Sequence, residues 1–170
     1  MQKTSLFRYF VLPLALVSAI LSLPLKADPP EGYQFHGYDR GLSEASKKNK
    51  RVFIYFGREG CGFCDVTNKK GFSDASVQDR YKNNYELVYV DAESGKRLTL
   101  PTGERVTERD LGTRYKAFVT PVFVFLEPDG NQILKRVGIQ TAQQLLAYDD
   151  FVQKGLYKQQ TFEQYEKKKE

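Results

Sequence analysis

The chain has 170 residues, 41% hydrophobic and 28% charged, the composition of a globular protein with room for one core and hardly for two. Its formal net charge is +5, but Lys3, Arg8 and Lys26 fall in an acid-free stretch of 27 residues, so the remainder stands near +2. That balance excludes a charge argument for nucleic acid or an anionic membrane surface as partner.

Residues 1–27 read as a targeting segment. Lys3 and Arg8 form a basic start, Tyr9 to Leu25 is an uncharged run of seventeen residues broken by Pro13 and Pro24, and Ala27 offers a small residue for cleavage before Asp28. The expectation is export to the periplasm with cleavage after Ala27; the alternative is an uncleaved N-terminal anchor in the inner membrane, facing the periplasm. Either places the rest of the chain where disulfides persist.

Residues 28–38, rich in Pro and Gly, read as a linker that includes the only histidine, His36, taken as an ordinary surface residue. Leu42 and Ala45, followed by lysines, predict a short amphipathic helix ending near Asn49. Arg51 to Phe56 carries five consecutive apolar or aromatic residues, a pattern that fits a central strand covered on both faces. A loop from Gly57 to Gly60 leads to the cysteines, and the helix they open is expected to stop at Gly71 as its C′ residue. Asp74 is an N-cap candidate for a helix with Val77 and Tyr81 inward, and Glu86 to Asp91 is a second buried strand. Residues 94–107, with Pro101 and Gly103, look like a hairpin insertion, followed by a helix capped by Thr107 and Asp110. Val122 to Leu126 and Gln132 to Val137 flank a Pro-Asp-Gly turn and are expected to pair as an antiparallel hairpin. Thr141 with Gln144 is a capping box for the next helix. The tail, 154–170, is expected to be helical, with Tyr157, Phe162 and Tyr165 packing back on the domain.

The only two cysteines stand in Cys61-Gly62-Phe63-Cys64, directly after the first strand. Two cysteines at this spacing close a disulfide only through a tight turn, which the first turn of a helix supplies. The leading thiol then lies over unpaired backbone N–H groups at the positive end of the helix dipole, which favours its thiolate. A nucleophilic thiol beside a resolving thiol is the minimum equipment for thiol–disulfide exchange. Three plainer readings stand beside this one. A zinc site needs two more ligands, and the only histidine, His36, lies in the N-terminal segment, so no metal site is assigned. Covalent haem needs a histidine after the second cysteine, and Asp65 stands there instead. A purely structural bridge is open to an exported protein, although so small a loop constrains little of the unfolded chain.

The order of elements, Cys61-Gly-Phe-Cys64 after a buried strand, Thr120-Pro121 opening the third strand, and the Pro-Asp-Gly hairpin before a last helix together resemble the thioredoxin superfamily over about Asp39 to Val152. The resemblance implies an α/β domain at 39–153: a mixed sheet of about four strands flanked by helices, with a hairpin insertion after the second strand. It also implies a cis peptide bond before Pro121, facing the cysteine pair. Cys61 would be the nucleophile and Cys64 the less exposed resolving thiol, with Gly62, Phe63, Thr120 and Pro121 contacting the substrate. No cofactor beyond the redox-active disulfide is implied, and the protein is expected to act as a monomer.

Within the superfamily the exported segment, the insertion and the closing Gly-Leu-Tyr-Lys…Thr-Phe-Glu-Gln-Tyr segment resemble the periplasmic thioredoxins of sulfur-oxidation clusters, the SoxW type. Such proteins accept electrons from a membrane thiol transporter and reduce disulfides of partner proteins. The chain departs from typical reducing thioredoxins in three places: Gly60 replaces a Trp, Gly62-Phe63 replaces Gly-Pro, and Tyr55 stands where a buried Asp assists the resolving thiol. Glu59 is the candidate substitute for that base. An aromatic in the dipeptide with Thr before the proline is closer to disulfide isomerases. The alternatives to a reductase are therefore an oxidant or isomerase-like exchanger, or a thioredoxin-fold module that binds copper or a partner through its thiols.

Overall fold

The computed structural model describes residues 29–168, so the targeting segment expected at 1–27 lies outside the described residues. Eight elements build the domain proper. They are α1 (Tyr38–Lys48), β1 (Arg51–Gly57), α2 (Gly62–Thr67), α3 (Ala75–Asn84), β2 (Tyr85–Asp91), β5 (Val122–Leu126), β6 (Gln132–Val137) and α5 (Ala142–Gln153). The insertion between β2 and β5 holds β3 (Arg97–Thr99), β4 (Arg105–Thr107) and α4 (Glu108–Arg114), and α6 (Phe162–Lys167) closes the chain.

The central sheet has the order β2-β1-β5-β6. β1 runs parallel to β2, with Gly57 opposite Asp91, and antiparallel to β5, with Phe56 opposite Val122. β6 pairs antiparallel with β5, placing Val137 opposite Val122. Four points of the chain therefore meet at one end of the sheet: the exits of β1 and β2, the entry of β5 and the exit of β6.

The uninterrupted apolar run of β1 is explained by its two covered faces. Phe53 and Tyr55 point into an aromatic cluster with Phe72, Tyr81, Phe123, Phe125 and Tyr148, beneath α2, α3 and α5. Val52, Ile54 and Phe56 alternate to the other face, against Tyr38, Ala45 and Leu111 of α1 and α4. Phe53 is the hub of the first cluster, with ring centroids 4.9 to 6.2 Å from Tyr81, Phe125, Phe123, Phe72 and Tyr85. Truncating such a ring to Ala costs about 3–5 kcal/mol.

The capping signals act as read. Asp74 accepts the N–H groups of Ser76 and Val77, and reciprocal capping boxes join Thr107 to Asp110 and Thr141 to Gln144. α1 ends at Asn49 in the left-handed conformation, φ 51°. Phe162 and Tyr165 of α6 pack onto Phe151, and Arg136 of β6 lies over the Phe162 ring at 4.6 Å.

Three expectations need correction. Gly71 does not cap α2: the chain continues through a π-helical turn, Asn68–Phe72, and Gly71 is buried within it. Its lack of a side chain serves close approach, because a Cβ there would meet Leu145 Cδ1 at 2.7 Å and the Gln140 carbonyl at 3.0 Å. The segment read as a linker is part of the fold, since His36 pairs with β2 through His36 N–H to Leu87 O, 2.8 Å, and Tyr89 N–H to His36 O, 3.1 Å. Tyr33 and Phe35 pack on the same core as Tyr55. His36 is also no ordinary surface residue, because its Nε2 stands 3.7 Å from the buried Glu86 carboxylate.

Candidate active site

Cys61 follows a turn made by Gly60 at φ +66°, a left-handed conformation glycine adopts without strain. It is the N-cap of α2, and its Sγ accepts a hydrogen bond from the Cys64 N–H at 3.2 Å. The two sulfurs are joined in a disulfide, with the Cα atoms 5.2 Å apart. The Thr120–Pro121 peptide bond is cis, and it stands across from this helix start. The Thr120 hydroxyl lies 3.1 Å from Cys61 Sγ. Cys61 thus has two polar neighbours, a backbone N–H and a hydroxyl. Both become charge-assisted donors if the sulfur is released as a thiolate.

The structure brings Cys61, Cys64, Thr120 and Pro121 together, with Gly62 and Phe63 on the open side of α2. A Cβ on Gly62 would meet nothing within 4 Å, and Phe63 is 64% exposed. One expectation fails: Cys64 is not the less exposed thiol. Both cysteine residues are only 2% exposed: their sulfurs are bonded to each other, and the Cys61 sulfur faces the Thr120 hydroxyl.

Thr67 couples α2 to the loop after β6. Its hydroxyl donates to the Phe63 carbonyl at 3.1 Å and accepts from the Gln140 N–H at 3.3 Å. The loop that carries Thr120 is held from β6, where Lys135 Nζ donates to the carbonyls of Tyr115, 2.7 Å, and Lys116, 3.2 Å. Burial, with the nearby Lys116 charge, lowers the Lys135 pKa.

The position expected to hold an acid–base group holds none. Tyr55 is buried, its hydroxyl donates to Asn68 Oδ1 at 3.1 Å, and burial pushes the phenol well above its ordinary range, so it stays protonated. Glu59, the candidate substitute, is exposed on the loop before Cys61 and makes no hydrogen bond to either cysteine.

Two side chains that sequence reasoning passed over complete the rim. Phe118 is 74% exposed and Val119 is 63% exposed, directly before Thr120. With Phe63, Val137 and Ile139 they are the large hydrophobics left exposed among the described residues, and all five sit at this end of the sheet. Two adjacent large apolar residues in an otherwise polar loop before Thr-Pro were the available signal. Chemically the arrangement offers a dithiol–disulfide pair at a helix start, bordered on part of its rim by uncovered apolar surface.

Comparison with known proteins agrees with this geometry. The family model described as Thioredoxin-like domain matches residues 38–153. An uncharacterized protein of Archaeoglobus fulgidus is 33% identical over 82 residues, 48% of this chain and 61% of that protein, so the chain spans about three fifths of that curated relative's length. A thioredoxin-fold protein from Helicobacter pylori aligns with TM-score 0.58 at 22% identity, over 67% of this chain and 75% of that one. A thioredoxin from Thermus thermophilus aligns with TM-score 0.57 at 24% identity, over 70% and 85% of the two chains. At these identities the structural likenesses speak for the fold. With the family match extending from α1 to the last turn of α5, this chain belongs to the thioredoxin-like domain family.

Proposed function

We propose that the chain is a thiol–disulfide oxidoreductase that reduces disulfides of partner proteins, or sulfur species bound to their thiols, through Cys61 and Cys64. The observation that carries this reading is the Cys61 sulfur itself. It is bonded to Cys64, capped by the Cys64 N–H at 3.2 Å and touched by the Thr120 hydroxyl at 3.1 Å, at the end of the sheet where apolar surface is uncovered.

In the reducing direction the Cys61 thiolate attacks one sulfur of a partner disulfide. A mixed disulfide forms, and the partner's other sulfur leaves as a thiolate that takes a proton. Cys64 loses its proton and attacks Cys61 Sγ, closing the intramolecular disulfide and releasing the second partner thiol. Two electrons pass from the cysteine pair to the partner. Of the two protons the partner takes up, one is that lost by Cys64 and the other comes from solvent, where Cys61 had released its own. Among the described residues, neither the N–H nor the C=O of Thr120 has a backbone partner, which leaves both for an extended partner segment.

The setting we propose is export to the periplasm on the basic, apolar segment at 1–27 and, as the SoxW-type resemblance implies, recharging by a membrane thiol-electron transporter. The likeness to the SoxW type rests on that segment, on the β3–β4 hairpin and on the closing 155–165 segment. A second reading, an oxidant or isomerase-like exchanger, is favoured by the Thr120 contact. A donor to Cys61 stabilises the thiolate and hence the reduced pair, which makes the pair more oxidising.

The test uses two variants of the chain. Cys61→Ser is expected to lose all turnover of a reducible protein disulfide, and Cys64→Ser to accumulate a covalent, dithiothreitol-sensitive complex with it on non-reducing gels. Normal turnover by Cys64→Ser would overturn the mechanism.

A further inference from the structure

One side of the Cys61 rim is polar. A cleft of about 180 Å³ lies between the loop after β1 (Arg58), the turn after β2 (Ala92, Glu93), α4 (Arg109, Thr113) and the loop before β5 (Phe118, Thr120). It adjoins the reactive centre, because Thr120, one of its lining residues, has its hydroxyl 3.1 Å from Cys61 Sγ. A partner segment lying across Thr120 would place a side chain near its target cysteine in this cleft.

The charges there are unequal. Arg109 is held by its own backbone partner: Nε and Nη2 donate to the Glu93 carbonyl at 3.2 and 2.7 Å. That fork fixes the guanidinium without neutralising it, and no carboxylate oxygen lies within 4 Å of it among the described residues. Asp110, its chain neighbour, feels its charge but is committed to the Thr107 N–H at 2.7 Å. Arg58 meets one carboxylate, with Nε 3.6 Å from Glu93 Oε1, where the side chains are 42% and 66% exposed. Pairs so long and so exposed are worth about 0–1 kcal/mol, so Glu93 is readily displaced. The cleft is therefore lined by two arginines and one loosely held carboxylate, with Phe118 beside them.

We propose that this cleft selects partner proteins carrying an Asp or Glu close in sequence to the cysteine that Cys61 attacks. The incoming carboxylate binds between Arg109 and Arg58 in place of Glu93, while neighbouring apolar residues cover Phe118. This assignment of substrate class rests on the exchange reading above. It adds what that reading leaves open, namely how one disulfide is chosen over another.

The experiment uses short disulfide peptides that differ only in Glu, Gln or Lys at each position up to two residues either side of the cysteine, with hydroxyethyl disulfide as a small neutral substrate. At one or more positions wild type is expected to turn over the Glu peptide about five- to tenfold faster in kcat/KM than the Gln peptide at low salt. The preference fades at roughly 0.5 M salt. Arg58→Glu and Arg109→Glu are expected to invert the preference towards the Lys peptide. Equal turnover of Glu and Gln peptides at every position, with hydroxyethyl disulfide still reduced, would overturn the proposal and leave the exchange reading standing. Failure to reduce hydroxyethyl disulfide would sink the exchange reading instead. A binding readout covers that case: fluorescent versions of the peptides with Ser in place of Cys are expected to bind in the order Glu, Gln, Lys, and any other order contradicts the proposal. Should Arg109→Glu lower the thermal midpoint by loosening the Glu93 turn, Arg58→Glu carries the test alone.

Discussion

Where β1 begins, two carboxylates are buried and surrounded by partners. Glu86 faces Lys48 Nζ at 3.0 Å, His36 Nε2 at 3.7 Å and Lys50 Nζ at 3.9 Å. Asp149 accepts from Asn84 Nδ2 and the Tyr85 hydroxyl at 2.9 Å each, with Arg80 Nη1 at 3.4 Å. Where β1 runs out into Cys61 the pattern reverses: the large side chains Phe63, Phe118 and Val119 stand in solvent, and the Arg58–Glu93 pair is long and exposed. Burying a carboxylate costs several kcal/mol unless it is paired, so the first end makes sense only as structure. Leaving large apolar groups uncovered forgoes about 1.5–3 kcal/mol each, so the second end makes sense only if something else covers them.

This contrast can be broken experimentally from either side. At the structural end, Asp149→Ala strands the Tyr85 hydroxyl and the Asn84 amide. It is expected to cost about 2–4 kcal/mol in urea unfolding, with hydroxyethyl disulfide turnover per folded molecule unchanged. Lost turnover with intact stability would show that the two ends are coupled. At the functional end, Phe118→Ser combined with Val119→Ser is expected to shift stability by no more than about 0.5 kcal/mol. The same change should slow reduction of a protein disulfide several-fold. A large loss of stability instead would mean that these side chains pack within the fold.

The fold was legible because its signals are local or periodic. The five-residue apolar run of β1, the caps at Asp74, Thr107 and Thr141, and the Pro-Asp-Gly hairpin each declare themselves within a few residues. The cysteine pair was legible for the same reason. Thr120 was legible only through the resemblance, since nothing local says that residue 120 meets residue 61. What stayed hidden depends on long-range packing. A glycine at a helix end reads alike whether it supplies a left-handed turn or, as Gly71 does, lets Leu145 come close. Pro and Gly in 28–38 masked a segment whose ordering comes from pairing with β2, fifty residues away. Arg58 and Arg109 lie on separate elements, and their shared cleft exists only once the β2 turn is folded between them.

The most direct test of the account is the reduction potential of Cys61/Cys64, measured by equilibrating the protein in glutathione buffers and counting free thiols. The account predicts a value between about −270 and −200 mV, at or above that of thioredoxin, because two donors stabilise the Cys61 thiolate. Thr120→Val, which removes one donor, is expected to lower it by about 10–30 mV. A value above about −180 mV would reverse the direction of electron flow and favour the oxidant reading. A pair that stays closed below about −300 mV would contradict the account, leaving the disulfide a structural bridge.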